Sequence, residues 1–301
     1  MKITTIDKKI KDHNLVSVKK MGSIYELCYI EHINKKQTIQ LLDKNHYCLL
    51  NTGEVFECKH IENRADSKAQ ISQSLKRLRD YINTNVLEPK NCKWICLTYA
   101  ENMTDTNRLY KDFNNFIKRF RTKYGKFENI VAMEPQQRGA WHCHCIIIFD
   151  KVAPFIPNKT LEELWGNGFT KTQKLDDIDN IGAYLTAYLG DMEYSEEYGN
   201  IKNLDIKQVD EIGGIKLKEP KKFIKGGRLY LYPPNFNLYR ISRGIKKPTK
   251  EYYQYSIIKE KAGLTEPTYS KAIALTDDNS FSSTIIYEYY NTKRTEKKEN
   301  V

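Results

Sequence analysis

Apolar positions along this chain follow two periods, and the change from one to the other marks out its elements. Between residues 106 and 124, Leu109, Phe113, Phe116, Ile117 and Phe120 recur three or four apart. That spacing predicts an amphipathic helix, with Arg108, Lys111, Lys118, Arg119, Arg121 and Lys123 mostly on its solvated side. Ile71, Leu75, Leu78, Ile82 and Val86 predict an earlier helix, entered through the capping-box-like Ser67-Lys-Ala-Gln70 and showing Lys68, Lys76, Arg77 and Arg79 on its other face. Short β-rich runs predict strands at 24–30, 38–42, 47–50 and 55–58, the last two joined by the turn signal Asn51-Thr-Gly53. Further strands are expected at 94–99, 127–134 and 141–149, and a short helix near 161–165. Asp176 or Asp177 caps a last predicted helix, in which Ile178, Ile181, Leu185 and Leu189 follow at helical spacing. This order predicts an α+β fold, an antiparallel sheet with flanking helices gathered on one side. It divides the chain into a β-rich N-terminal element (1–66), a central domain (67–200), a basic extension (201–290) and a charged, apolar-poor, disordered tail (291–301).

The strand at 141–149 reads Trp-His-Cys-His-Cys-Ile-Ile-Ile-Phe. Side chains alternate faces along a strand, so His142 and His144 point the same way, while the apolar run 146–149 anchors the segment in a core sheet. Glu134 ends the preceding strand, and the turn-like stretch 135–140 with Gly139 folds it back towards His142. Two neutral imidazoles and one carboxylate suit a divalent cation that keeps positions open for water and a substrate oxygen. Cys143 and Cys145 project to the opposite face and cannot close a tetrahedron with the histidines; they read as small buried apolar residues. A zinc ribbon from Cys28, Cys48, Cys58 and His60 is poorly spaced.

The helix predicted over 176–191 carries Tyr184 and Tyr188, one turn apart on one face. A phenol is a poor nucleophile at neutral pH, because its pKa lies near 10. A metal that polarises a phosphodiester makes phenoxide attack feasible, and the product is a phosphotyrosine bond to the 5′ end of a cut strand.

Charge adds a partner to this picture. The formal net charge is +11, which favours a polyanion. Residues 215–250 hold eleven Lys or Arg against one acid, Glu219, and interleave them with Phe223, Tyr230, Tyr232, Phe236 and Tyr239. Basic groups track phosphates and aromatic faces stack unpaired bases, which makes Lys221, Lys222, Lys225, Arg228, Tyr230, Arg240, Arg243, Lys246 and Lys247 candidate DNA contacts. Seven cysteines without CxxC spacing point to a reducing compartment. With no apolar run long enough for a signal peptide or a membrane span, the expected location is the cytoplasm and no membrane partner is expected. The absence of a GxxxxGK[ST] motif argues against a helicase activity of its own.

Glu134 with His142-Cys-His144, followed by Tyr184-Leu-Thr-Ala-Tyr188, resembles the HUH endonucleases, and within them the rolling-circle replication initiators of bacterial plasmids and single-stranded DNA phages. Trp94-Ile-Cys-Leu-Thr-Tyr99 is similar to their first strand motif and stands in the right order. The resemblance spans about 90–192 and extends loosely to Pro248 through the segments 227–234 and 242–248. It implies an HUH palm, a ferredoxin- or RRM-like sheet, in which Glu134, His142 and His144 bind Mg2+ or Mn2+ and a tyrosine becomes joined to single-stranded origin DNA. It also implies a host helicase and DNA polymerase as partners. Many members carry Lys three residues after the nucleophile; those positions here are Ala187 and Asp191, and Tyr184 and Tyr188 both remain candidates. The alternatives are a transposase of the same superfamily and a non-enzymatic RNA- or ssDNA-binding protein on a similar sheet.

Overall fold

The computed structural model describes residues 2–33, 37–58, 68–175, 180–186, 189–195, 205–212, 215–276 and 281–293. Chain order gives β1 (Lys2–Ile6), β2 (Leu15–Met21), β3 (Ile24–Ile30), β4 (Ile39–Leu41), β5 (His46–Leu49) and β6 (Val55–Glu57), then α1 (Lys68–Asn85), β7 (Cys92–Thr98), α2 (Thr106–Tyr124), β8 (Glu128–Pro135) and β9 (Trp141–Ile148). Next come α3 (Asn158–Trp165), β10 (Thr170–Gln173), α4 (Ile181–Thr186), β11 (Met192–Glu193), β12 (Ile206–Ile212), β13 (Ile215–Ile224) and β14 (Tyr239–Ile241). The last elements are β15 (Lys250–Gln254), α5 (Tyr255–Ala262), β16 (Tyr269–Thr276) and β17 (Ser282–Asn291). The fold is α+β, with antiparallel sheets and a few flanking helices. It separates into two compact units, one made of Met1–Ile61 with Thr249–Val301, the other of Glu62–Pro248.

In the first unit a six-stranded sheet runs β1-β16-β17-β3-β2-β15, and a separate three-stranded sheet runs β4-β5-β6. Val16, Val18, Leu27 and Ile286 form its core with Tyr255 and Ile258 of α5.

In the second unit a five-stranded sheet runs β10-β7-β9-β8-β14, every pair antiparallel. β11-β13-β12 form a smaller sheet. One face of the five-stranded sheet is apolar. Leu97, Val131, Met133, Cys143, Cys145 and Ile147 pack there with Leu109, Phe113, Phe116 and Phe120 of α2 and with Leu161 and Trp165 of α3. Asp105 caps α2 by accepting hydrogen bonds from Asn107 N and Arg108 N, and Gly125 ends it at φ 80°. The other face carries Ile130, Ala132 and Ile146 against Leu78 and Ile82 of α1 and Ile181 of α4. The helices therefore lie on both faces of the sheet, which corrects the expectation of a single side. Periodicity tells which stripe of a helix is buried, but not against which face of a sheet.

α4 lies directly on α1. Asn180 Oδ1 accepts from Ala183 N at 2.8 Å, as an N-cap does, and Asn83 Oδ1 of α1 accepts from Gly182 N at 2.9 Å. A Cβ on Gly182 would stand 2.8 Å from the Arg79 carbonyl oxygen, so only glycine permits this approach. The expected caps Ser67, Asp176 and Asp177, the apolar position Ile178 and the tail beyond 293 lie outside the described residues, as does His60. All seven cysteines are free thiols. No helix among the described residues is long and apolar enough to cross a membrane.

Candidate functional site

Register builds the site on the face that α1 and α4 cover. β9 is the central strand. Opposite His142 stand Thr98 on β7 and Glu134 on β8; opposite His144 stand Cys96 and Ala132. Pleat alternation sends this whole patch to one side, and sends Cys143 and Cys145 into the apolar core on the other. The hairpin brings Glu134 to the histidines, and the rings of His142 and His144 meet edge to face with centroids 4.5 Å apart.

Each polar atom is held by a neighbour. His142 Nδ1 lies 2.7 Å from Thr98 Oγ1. If Nδ1–H donates to that hydroxyl, the Nε2 lone pair remains for a ligand. His144 uses both ring nitrogens: Nε2 lies 3.1 Å from Glu134 Oε1 and Nδ1 lies 3.4 Å from Cys96 Sγ. Arg228 Nη1 donates to the same Glu134 oxygen at 3.3 Å. The second oxygen, Glu134 Oε2, is buried and has no hydrogen-bond partner among the described residues. Such an acceptor is costly unless an ion or water completes it.

These contacts split the ionisation of the two imidazoles. Burial, and then the charge of His144, pushes His142 down to about 4. Burial also disfavours charge on His144, but hydrogen bonds with Cys96 and Glu134 and the attraction of the Glu134 carboxylate outweigh it and lift the group to about 9. Glu134 is itself buried, which opposes its charge, yet the hydrogen bond and charge of His144 and the charge of Arg228 keep its pKa low.

Two contributors escape a reading of the sequence. Cys96 joins His142 and His144 in a group whose ligand atoms all lie within 4.8 Å of one another. It sits on another strand, 48 residues before His144, so no local spacing announces it. Arg228 belongs to the basic run, but its guanidinium turns inward to Glu134, Pro135 O and Asp191 O.

The tyrosine helix reaches this patch. Leu185 of α4 lines a small pocket with His144, Trp94 and Ala132. Tyr184 lies on α4 beside Leu185, but its side chain, like the whole of Tyr188 and of Ala187, lies outside the described residues. Asp191, at the other position where the resemblance implies lysine, accepts from Gly226 N at 2.7 Å and pairs with Lys207 of β12.

The remaining basic residues are divided between two places. Lys225 faces a pocket of about 440 Å³ beside α4, shared with Arg79, Thr186 and Lys207. Arg240 and Arg243 line another of about 780 Å³ next to α2 with Arg121 and Lys126, and Arg240 stacks on Tyr110 at 4.4 Å. Lys221 forms an exposed pair with Glu193 at 3.1 Å, while Lys222, Tyr230, Lys246 and Lys247 are exposed.

Residues 92–193 match the family model of the replication-associated protein ORF2. The match runs from β7 to β11 and takes in Cys96, Thr98, Glu134, His142, His144 and α4; Arg228 is the one member of the site beyond it. It supports a role in replication. No curated protein and no solved structure shows significant similarity to the chain.

Proposed function

We propose that the chain is a site-specific single-strand DNA endonuclease and rejoining enzyme that starts rolling-circle replication. The observation that carries this reading is the buried row of Glu134, His142 and neighbouring His144 under α4, inside the segment that matches the replication-associated family. The donor set of two imidazoles and a carboxylate, with one carboxylate oxygen buried and unpartnered among the described residues, fits a divalent cation. Glu134, His142 and His144 would hold it, as Mg2+ or Mn2+, and when bound it would supply Lewis-acid polarisation of the scissile phosphodiester.

The chain supplies the remaining functions. Thr98 fixes the His142 ring, and Arg228 offsets the buried Glu134 charge. The phenolic oxygen of Tyr184 or Tyr188 attacks phosphorus, loses its proton to solvent and forms a tyrosyl phosphodiester with the 5′ end. The P–O3′ bond breaks, and the leaving oxygen takes up a proton as a 3′-hydroxyl. Attack by a 3′-hydroxyl on that tyrosyl bond reverses the step and rejoins the strand. A host polymerase would extend the 3′-hydroxyl behind a host helicase. Lys221, Lys222, Lys225, Tyr230, Arg240, Arg243, Lys246 and Lys247 would hold the DNA, the cations on phosphates and Tyr230 on a base.

The test is a single-stranded origin oligonucleotide incubated with wild type, Tyr184→Phe, Tyr188→Phe and the double variant, followed by denaturing electrophoresis. A covalent protein–DNA band should appear with wild type and vanish in the double variant. Its persistence there would remove the tyrosine mechanism, and the single variants would show which phenol attacks first.

A further inference from the structure

His144 faces two different partners with its two nitrogens, carboxylate on one side and thiol on the other. From this we infer a second metal site that overlaps the first: Cys96, His142 and His144 form a ligand set for a thiophilic divalent ion of the zinc class. Three observations support it. β7 sets Cys96 directly across from His144, so the sulfur reaches the ring without any backbone change. The ligand atoms already lie within 4.8 Å of one another. Bond lengths of about 2.0–2.3 Å around a tetrahedral zinc put neighbouring donors roughly 3.5 Å apart, so the set needs only to contract slightly. Finally, Cys96 is buried and carries no disulfide, so its thiol is available inside the site.

The chemistry of the two sets differs. Mg2+ and Mn2+ favour the oxygens of Glu134 and the substrate, whereas a thiolate selects Zn2+, Cd2+ or Co2+. On binding, the Cys96 thiol gives its proton to solvent and a metal–sulfur bond forms. Because the His144 ring sits between both sets, an ion drawing on its Cys96-facing nitrogen takes the ring away from Glu134. Zinc would therefore act as a competitor of the hard cation and a brake on nicking. That last consequence rests on the proposed nicking activity; the thiophilic site does not.

The test uses the full chain and Co2+ as a spectroscopic stand-in. Wild type should develop a near-ultraviolet thiolate-to-cobalt charge-transfer band that zinc abolishes at one equivalent. Cys96→Ser should lose that band and bind zinc about 100-fold more weakly or worse, since removing a ligand exceeds the roughly 10- to 100-fold cost of removing an outer hydrogen-bond partner. Mn2+ binding by the same variant, followed by electron paramagnetic resonance, should stay within about threefold. Cys48→Ser and Cys58→Ser should keep the band. X-ray absorption of zinc-loaded wild type, which needs no variant, should find one sulfur neighbour. No band in wild type, no sulfur neighbour, or a band that survives in Cys96→Ser and vanishes in Cys48→Ser or Cys58→Ser would overturn the site. If the site stands and zinc fails to slow nicking, only the competition is lost; if no nicking occurs at all, the fault lies with the proposed function instead.

Discussion

The two faces of the five-stranded sheet are made by the same strands and differ in almost every physical respect. Towards α2, Leu97, Val131, Met133, Cys143 and Ile147 are fully buried among phenylalanines. Towards α1 and α4, alternate residues of the same strands are Thr98, Cys96, Glu134, His142 and His144, a polar patch whose imidazoles keep partial exposure. The period-2 pleat permits this separation. One side supplies stability in dry packing and the other holds chemistry in place, so substitutions a single residue apart should fail in different ways.

The largest contrast is expected from His142→Ala. It should abolish nicking while leaving DNA affinity and the melting curve close to wild type; a collapsed melting curve would mean that the histidine is structural. Phe116→Ala, on the other side, should cost about 3–5 kcal/mol by leaving a cavity among the aromatic rings. Denaturant titration should show that loss, with activity lost only as far as the protein unfolds.

A smaller effect is expected from pH. His144 is held above its ordinary pKa, at about 9, by Cys96 and Glu134 despite burial. Near neutrality it is therefore protonated, and a cation must displace that proton. Affinity for Mn2+ should rise roughly tenfold per pH unit up to about 9 and then level off. Without metal the sign is reversed: the raised pKa contributes stability that is complete below about 6.5 and lost as pH climbs through about 9. Calorimetric titration across this range checks the first statement, and a flat affinity would contradict it.

The smallest effect concerns the edge of the unit. Replacing Lys221, Lys222 and Lys225 together by Ala should flatten the salt dependence of ssDNA binding by up to about 0.7 in log–log slope for each phosphate that the three cations neutralise. An unchanged slope would move the DNA path to Arg240 and Arg243 beside α2.

What the sequence discloses follows the range of the interactions. α2 is legible from Thr106 to Tyr124 because its stripe, its cap Asp105 and its stop Gly125 are all local. β9 and its partner β8 are legible because a short turn joins them. Cys96 as a site member is not, because only the β7–β9 pairing brings it to His144. Arg228 shares its neighbours' charge, and nothing in a run of cations tells which one folds inward. β16 and β17 leave no comparable signal, since their pairing with β1 and β3 joins opposite ends of the chain.

That last pairing has a consequence for the order of synthesis. β17 lies between β16 and β3, inside its sheet rather than at an edge. β3 therefore waits for a partner made roughly 250 residues later, on the order of 10–50 s at ordinary elongation rates. The second unit is complete in sequence before that and is free to fold on the ribosome. The first unit spends the same interval with β2 and β3 as a lone hairpin, which is the period in which a chaperone has most to protect.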